Sequence, residues 1–413
     1  SQGFGMLARL GAQTGSVRLE GSRVRTAARP GAERSMFDGI DTTWRRLASE
    51  VSRPADRAAV ERLAAATDEA RRTLSLYDPS KGVAALERAR AALAQLDADL
   101  HAAPRAPNGD VLVSVADGLD RVTRALLLAR GIAIEATAPR DQVAVGDSIP
   151  VTVTVYNRGS ARIAVASSAT MARGRTARPA AGSGPARDDV VVLPDSAHTD
   201  TVYVRGDSIT QPWWLTIPRH GDMFSVPIDG RSDDARDHGV RVRVALDNGA
   251  LVTHVPVVRR YADPVRGELE RPLVVVPPIS VTLDRTVELA RANTPLARPV
   301  QVHLLSGVTT PRDVTVSLTL PSGLHADSAS RVAHLEGFGA SATVSFEVTG
   351  QLAAGEHDMA ATARSGGQTF SLGYIPIEYS HIRPQKLYRP ATVSMHAVDA
   401  TLQGEAAKAA ANL

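Results

Sequence analysis

Cysteine is absent from the 413 residues. The chain can therefore form no disulfide, thiolate zinc site or thiol nucleophile, although large exported domains manage without disulfides and the compartment stays open. Lysine is nearly missing: of 47 basic residues only Lys81, Lys386 and Lys408 are lysine, and the other 44 are arginine. The surplus over 44 acids is three, and the longest basic runs are pairs such as Arg45-Arg46 and Arg71-Arg72. Nucleic-acid binders cluster such residues on one face with aromatics interleaved. Scattered arginines read instead as codon bias, so no nucleic-acid partner is expected. No apolar run approaches the roughly 18 residues that a bilayer-spanning helix needs. The opening SQGFGML has neither a basic start nor a signal-type apolar core, so neither a membrane span nor a signal peptide is expected within this chain.

Aromatics are scarce as well, at 4%, while 43% of residues are hydrophobic and 22% charged. That balance supports folded cores rather than a disordered chain, and at roughly 150 residues per domain two or three domains are expected. With 32 glycines and 25 prolines, the composition suits many turns between Val- and Ala-rich segments. The expected fold class is mainly β with a helical segment: two immunoglobulin-like β-sandwiches preceded by a helical connector.

Residues 1–50 are mixed and end in Phe37 to Leu47, where Asp41 or Thr42 can cap a short helix. Residues 51–131 carry three helical patterns. Val60, Leu63, Ala64, Thr67, Ala70 and Leu74 recur at three- and four-residue steps until Asp78-Pro79; a second helix is expected from Ser80 to Leu100 and a third from Asp110 to Arg130. Gly131 stands where a helix commonly terminates.

From Ile132 the period falls to two. Ile149 to Tyr156 alternates as a half-buried strand should, and Asn157-Arg158-Gly159 supplies a turn. Further strands are expected at Arg162 to Ala166, Val190 to Leu193, Thr201 to Val204, Trp213 to Ile217, Val240 to Leu246 and Leu251 to Val258, giving a first sandwich over 132–262. Met171 to Arg187 has no period and reads as a long exposed loop, a natural proteolytic target. Asp263 to Pro278 reads as a linker strand. A second sandwich over 263–395 follows, with strands at Ile279 to Leu283, Val300 to Leu305, Val314 to Leu320, Ala342 to Val348, Met359 to Ala363 and Phe370 to Ile377. The tail, 396–413, is helix-permissive at Gly404 to Leu413 but too short to be stable alone.

No catalytic motif emerges. The nearest two of the eleven histidines, His325 and His334, are nine apart, so no pair has metal-ligand spacing on one turn. Asp233, Asp234, Asp237 and His238, near His220 and Asp222, lack the spacing of a calcium loop and read as a solvated inter-strand loop. Ser183 lies between two glycines but inside the irregular loop, and no serine elbow, Walker loop or dinucleotide fingerprint is present. No cofactor is expected in this chain. Trp213 and Trp214 are neighbours on an expected strand, so they point to opposite faces; one enters the core, and the other is a candidate for packing at a domain interface or stacking on a glycan.

Five stretches carry a resemblance: Ser1-Gln2-Gly3-Phe4-Gly5, Phe37 to Trp44 (FDGIDTTW), Gln211 to Leu215 (QPWWL), Asp263 to Leu269 (DPVRGEL), and Ile377 to Ile382 (IEYSHI) with Pro384-Gln385. In this order they resemble the later part of large bacterial PIG-L (LmbE-like) family deacetylases. The resemblance implies an upstream α/β domain that binds zinc and removes N-acetyl groups from amino sugars through a His-Pro-Asp-Asp motif absent here. Ser1 and Gln2 would be the surviving half of a His-x-Ser-Gln motif at the edge of that active site. This implies a non-catalytic accessory region with the deacetylase domain as its partner in cis, zinc only in the full-length protein, and a periplasmic or extracellular location. The alternatives are an independent carbohydrate- or cell-envelope-binding sandwich protein and a structural spacer. With the upstream domain removed, Phe4, Met6, Leu7, Leu10, Phe37, Ile40 and Trp44 lose packing partners, so this region is expected either to be poorly ordered or to fold back on the helical connector, with Trp44 the first side chain to find a new contact.

Overall fold

The computed structural model describes residues 40–102, 109–169, 189–211, 239–247, 249–379 and 384–399, with single positions at 215, 217, 223 and 225 and the pair 381–382. Ser1, Gln2, Trp213, Trp214, the stretch 171–187 with Ser183, the acidic cluster around Asp233 and the tail beyond 399 lie outside the described residues. The chain divides into two compact units, Ser1–Val122 and Thr123–Leu413.

In the first unit, Asp41 accepts hydrogen bonds from the Thr43 amide and hydroxyl, and Thr43 Oγ1 accepts from the Arg45 amide. This cap starts a 3-10 helix at Trp44–Ser49. Helix α1 (Pro54–Thr73) begins on a proline, whose missing N–H has no helical partner to lose. Asp56 in its first turn is buried, and a bidentate fork from Arg53 (2.8 and 2.9 Å) keeps it satisfied. Helices α2 (Val83–His101) and α3 (Gly109–Ala129) follow. Val60 and Leu63, Leu93 and Leu96, and Val111 and Val115 fill one core. The Trp44 ring packs against this core, lying so close over Gly118 that a Cβ there would be 2.4 Å from Cη2. Leu74 departs from its expected place on the apolar face. α1 ends at Thr73, Leu74 takes extended dihedrals (φ −58°, ψ 124°), and its side chain is carried out into solvent.

In the second unit the chain leaves α3 at Gly131, whose φ of +75° lets it turn where a Cβ would strike the backbone of Arg158 and Gly159. The strands of the first sandwich are β1 (Ile132–Thr137), β2 (Gln142–Ala144), β3 (Ser148–Asn157), β4 (Ile163–Ala169), β5 (Val190–Val192), β6 (Ser196–Arg205), β7 (Gly239–Leu246), β8 (Gly249–Pro256), β9 (Val258–Asp263) and β10 (Gly267–Pro272). One sheet has the order β10-β9-β1-β3-β6 and the other β5-β4-β7-β8. In β3 the inward Ile149, Val151, Val153 and Val155 are buried and face the fully buried Val240, Val242 and Val244 of β7. Stacked valines thus build a core that needs few aromatics. Asn157 closes the expected turn: its Nδ2 donates to the carbonyls of Ala161 and Val192, and its Oδ1 accepts from the Gly159 amide. Part of the expected linker, Asp263 to Pro272, proves to be a hairpin of this sandwich. Asp263 Oδ1 accepts from the Val265 and Arg266 amides and turns the chain back on β9.

The second sandwich contains β12 (Ile279–Leu283), β13 (Val287–Arg291), β14 (Leu296–Ser306), β15 (Arg312–Thr319), β16 (Leu324–Ala326), β17 (Arg331–Leu335), β18 (Ser341–Gly350), β19 (Gly355–Ser365), β20 (Gln368–Phe370), β21 (Leu372–Ile377), β22 (Gln385–Pro390) and β23 (Thr392–Val398); β11 (Val274–Val276) precedes them. Its sheets run β12-β14-β18-β16 and β13-β23-β19-β15-β17. The opening segment changes sheets, with β12 antiparallel to β14 and β13 parallel to β23. Phe346, fully buried, sits with Ile279, Val302, Leu304, Val314 and Val316 at the centre. The chain is thus mainly β with a helical segment, as the composition implied. Among the described residues no helix is long and apolar enough to cross a membrane.

Candidate functional site

A densely bonded region lies at the passage from one sandwich to the next. β11 adds parallel to β2, with Val274 opposite Gln142, Val275 opposite Val143 and Val276 opposite Ala144. Only Pro277 and Pro278 separate β11 from β12, and proline fixes φ at both positions. From the first sandwich, the Val145 amide donates to Val276 O (2.9 Å), the Thr210 amide to Val275 O (3.0 Å), and the Val275 amide donates to Thr210 Oγ1 (2.9 Å). From the second, the Gly307 amide donates to Pro278 O (2.9 Å) and the Tyr388 hydroxyl to Val275 O (3.1 Å). Val275, Val276 and Ile279 are fully buried. Gly206 and Gly307 lie so close that a Cβ would sit 2.6 Å from the carbonyl oxygens of Ala144 and Pro277 respectively.

Side chains reinforce this seam. The Tyr374 hydroxyl donates to Gln142 Oε1 (3.0 Å), and its ring lies 5.7 Å from that of Tyr388. Arg271, at the end of β10, makes a fork to Glu378 beyond β21 at 3.0 and 2.9 Å, and its Nε donates to the Tyr261 hydroxyl (3.1 Å). Asp141 stands 3.8 Å from Arg271 and 3.9 Å from Arg259. The Arg140 guanidinium lies 4.7 Å over the Phe338 ring, adding a cation–π contact between the sandwiches.

Electrostatics at the seam favour cohesion over chemistry. The Glu378 hydrogen bonds push the Arg271 guanidinium above its ordinary pKa. Burial raises the Tyr374 phenol to about 12, helped by the Asp141 charge, and raises Tyr388 as well. Burial lowers the Lys386 ammonium, 4.6 Å over the Tyr374 ring, against the opposing pull of Asp141 and Glu378. None of these groups pairs a nucleophile with a base.

A second feature is a cavity of about 170 Å³ inside the first sandwich, lined by valines of β3, β4, β5 and β7 together with Ser167, His198 and Asp200. The residue types suggest a hydrolytic triad, but Ser167 Oγ donates to Asp200 Oδ2 (2.8 Å). An activated serine would donate to imidazole. Among the described residues no three His, Asp or Glu side chains converge to hold a metal ion, so they do not fit a zinc site.

The sequence-predicted candidates Ser1, Gln2, Trp213 and Trp214 lie outside the described residues. Sequence reasoning missed Asp141, Arg271, Tyr374, Glu378 and Lys386. One signal was available: Glu378 lies inside the IEYSHI stretch, and Arg271 follows the DPVRGEL stretch by two residues.

No family model matches the chain, and no curated protein matches it. Among solved structures it is similar to Escherichia coli alpha-2-macroglobulin in its native conformation, with 11% identity over 64% of this chain and 17% of that one, at a TM-score of 0.23. The elastase-activated form of the same protein gives 12% identity over 64% of this chain and 22% of that one, also at 0.23. The chain thus spans about a fifth of the length of these proteins, and a likeness of this strength carries no argument about function.

Proposed function

We infer that the chain is the non-catalytic C-terminal region of a large bacterial PIG-L-type N-deacetylase acting on N-acetylated amino sugars, and that its tandem sandwiches act as one stiff body orienting an upstream catalytic domain outside the cytoplasm. The supporting observation is the linker Leu273 to Ile279, which is hydrogen-bonded from both sandwiches at once. A flexible tether would leave those groups to water. One of the family-like stretches contains Glu378 and another ends two residues before Arg271, the pair that spans the seam. Zinc belongs, on this reading, to the upstream domain, and no step of hydrolysis is assigned to the residues described.

The coding region immediately upstream provides the test. An in-frame domain with a His-Pro-Asp-Asp motif supports the reading, and joining it to this chain restores acetate release from N-acetylglucosamine derivatives. Stoichiometric zinc after dialysis together with turnover in the 413-residue chain alone would overturn it.

A carbohydrate-binding reading draws on one observation. Tyr379, 61% exposed, lies 5.8 Å from the His381 ring at an interplanar angle of 31°, a platform on which a sugar face can stack. Glycan-array binding lost in Tyr379→Ala would favour it.

A further inference from the structure

The loop joining α1 to α2 presents three large apolar side chains to solvent. Leu74 is 68% exposed, Leu76 89% and Tyr77 102%, all within four positions. The tip is not a frayed end. Ser75 Oγ accepts from the Asp78 amide (3.1 Å), the Ser80 hydroxyl donates to Asp78, and a 3-10 turn at Pro79–Gly82 leads directly into α2. The loop's own hydrogen bonds therefore hold the three side chains outward, at a standing cost in hydrated apolar surface.

The charges around the tip are asymmetric. Each neighbouring acid already has a cationic partner: Asp68 pairs with Arg45, Glu69 with Arg88 and Asp78 with Lys81. Arg71 and Arg72, exposed in the last turn of α1, have no acidic partner among the described residues. Two uncompensated guanidinium groups thus stand at the base of an apolar, tyrosine-bearing tip. Tyrosine and leucine beside arginine are the residue types that favour the boundary between lipid headgroups and acyl chains. A protein partner fits less well. A stable protein interface needs about 800 Å² on each side, and a convex tip of four residues supplies only a fraction of that.

We propose that the α1–α2 tip docks on an anionic lipid bilayer, with Leu74, Leu76 and Tyr77 entering the headgroup boundary and Arg71 and Arg72 contacting the anionic lipids. This surface is independent of the deacetylase reading, and its test involves no catalysis. A few apolar side chains with two basic contacts give weak, reversible binding, with a partition constant on the order of 10³–10⁴ M⁻¹. Flotation of the full chain with phosphatidylcholine vesicles containing about 30% phosphatidylglycerol, at about 2 mM lipid, is matched to that range. Most of the chain is expected to float with these vesicles and little with phosphatidylcholine alone. Arg71→Gln/Arg72→Gln lowers partition by about 25-fold, roughly fivefold for each charge. Leu76→Ser/Tyr77→Ser abolishes binding, while Leu289→Ser, at a leucine 69% exposed elsewhere on the chain, leaves it unchanged. All five replaced side chains are exposed, so circular dichroism should match that of the unaltered chain. Absence of binding to the anionic vesicles, or equal binding by Leu76→Ser/Tyr77→Ser, overturns the proposal. So does loss of self-association in the tip variants without vesicle binding, which would identify a second copy of the chain as the occupant.

Discussion

Cutting the Arg271–Glu378 pair loosens the seam without touching either core. The pair is a fork of two charge-assisted hydrogen bonds at 3.0 and 2.9 Å, and its side chains are 30% and 47% exposed. Fully exposed pairs are worth about 0.2–1 kcal/mol. Bidentate geometry and partial shielding place this one at the upper end, so a double-mutant cycle of Arg271→Ala with Glu378→Ala should give a coupling of about 1 kcal/mol. Arg271→Ala alone should cost about 2 kcal/mol, because the Nε–Tyr261 hydrogen bond of 3.1 Å is lost as well. The pH dependence follows from the raised pKa of Arg271. A cation whose folded pKa lies above its unfolded value contributes fully at every pH below the unfolded value, and for a guanidinium that contribution is lost only in strongly alkaline solution. The Arg271→Ala deficit should therefore stay constant from about pH 6 to about pH 10. Urea unfolding followed by circular dichroism measures both quantities. A coupling below about 0.3 kcal/mol would show that the fork is decorative and that the seam does not depend on it.

Three further outcomes follow from the same geometry. Gly206→Ala should destabilise by about 1–3 kcal/mol in urea unfolding, because its Cβ would meet the Ala144 carbonyl at 2.6 Å and Val275 Cγ1 at 3.0 Å, leaving the β2–β11 strand pair no room to give. Phe346→Ala, which empties the centre of the second sandwich, should cost about 3–5 kcal/mol in the same assay. Tyr374 ionises near 10 when unfolded and at about 12 when folded, so between those values the folded state holds the extra proton and stability falls as pH rises. Tyr374→Phe should flatten that alkaline slope in a pH series of thermal melts, and an unchanged slope would contradict the burial of its hydroxyl.

Much of the fold is legible in the sequence because its signals are local. The three helices follow from apolar side chains at helical spacing, and the turn at Asn157 from a side chain that satisfies its own backbone. Leu74 defeats the periodic reading because the helix ends one residue earlier, a matter of dihedral angles that spacing does not encode. The DPVRGEL stretch resembles a domain boundary for a similar reason. Asp, Pro and Gly mark a turn, and only the pairing of Glu268 with Ala262 and Leu269 with Tyr261 shows that the turn closes a hairpin. The seam was hidden by distance along the chain. Tyr374 and Gln142 are 232 residues apart, and a three-residue strand such as β11 has no period long enough to detect. Its polar groups look like ordinary surface residues until two sandwiches bury them against one another.

Absence of cysteine makes the decisive measurement simple. Tyr203→Cys on the first sandwich and Val332→Cys on the second, each 67% exposed in the native residue, accept one spin label apiece with no competing thiol. Double electron–electron resonance between them should give a single narrow distance distribution if the linker Leu273 to Ile279 locks the sandwiches into one body. A broad or multimodal distribution would mean that the sandwiches move independently, and a role in rigidly orienting a catalytic domain would be contradicted.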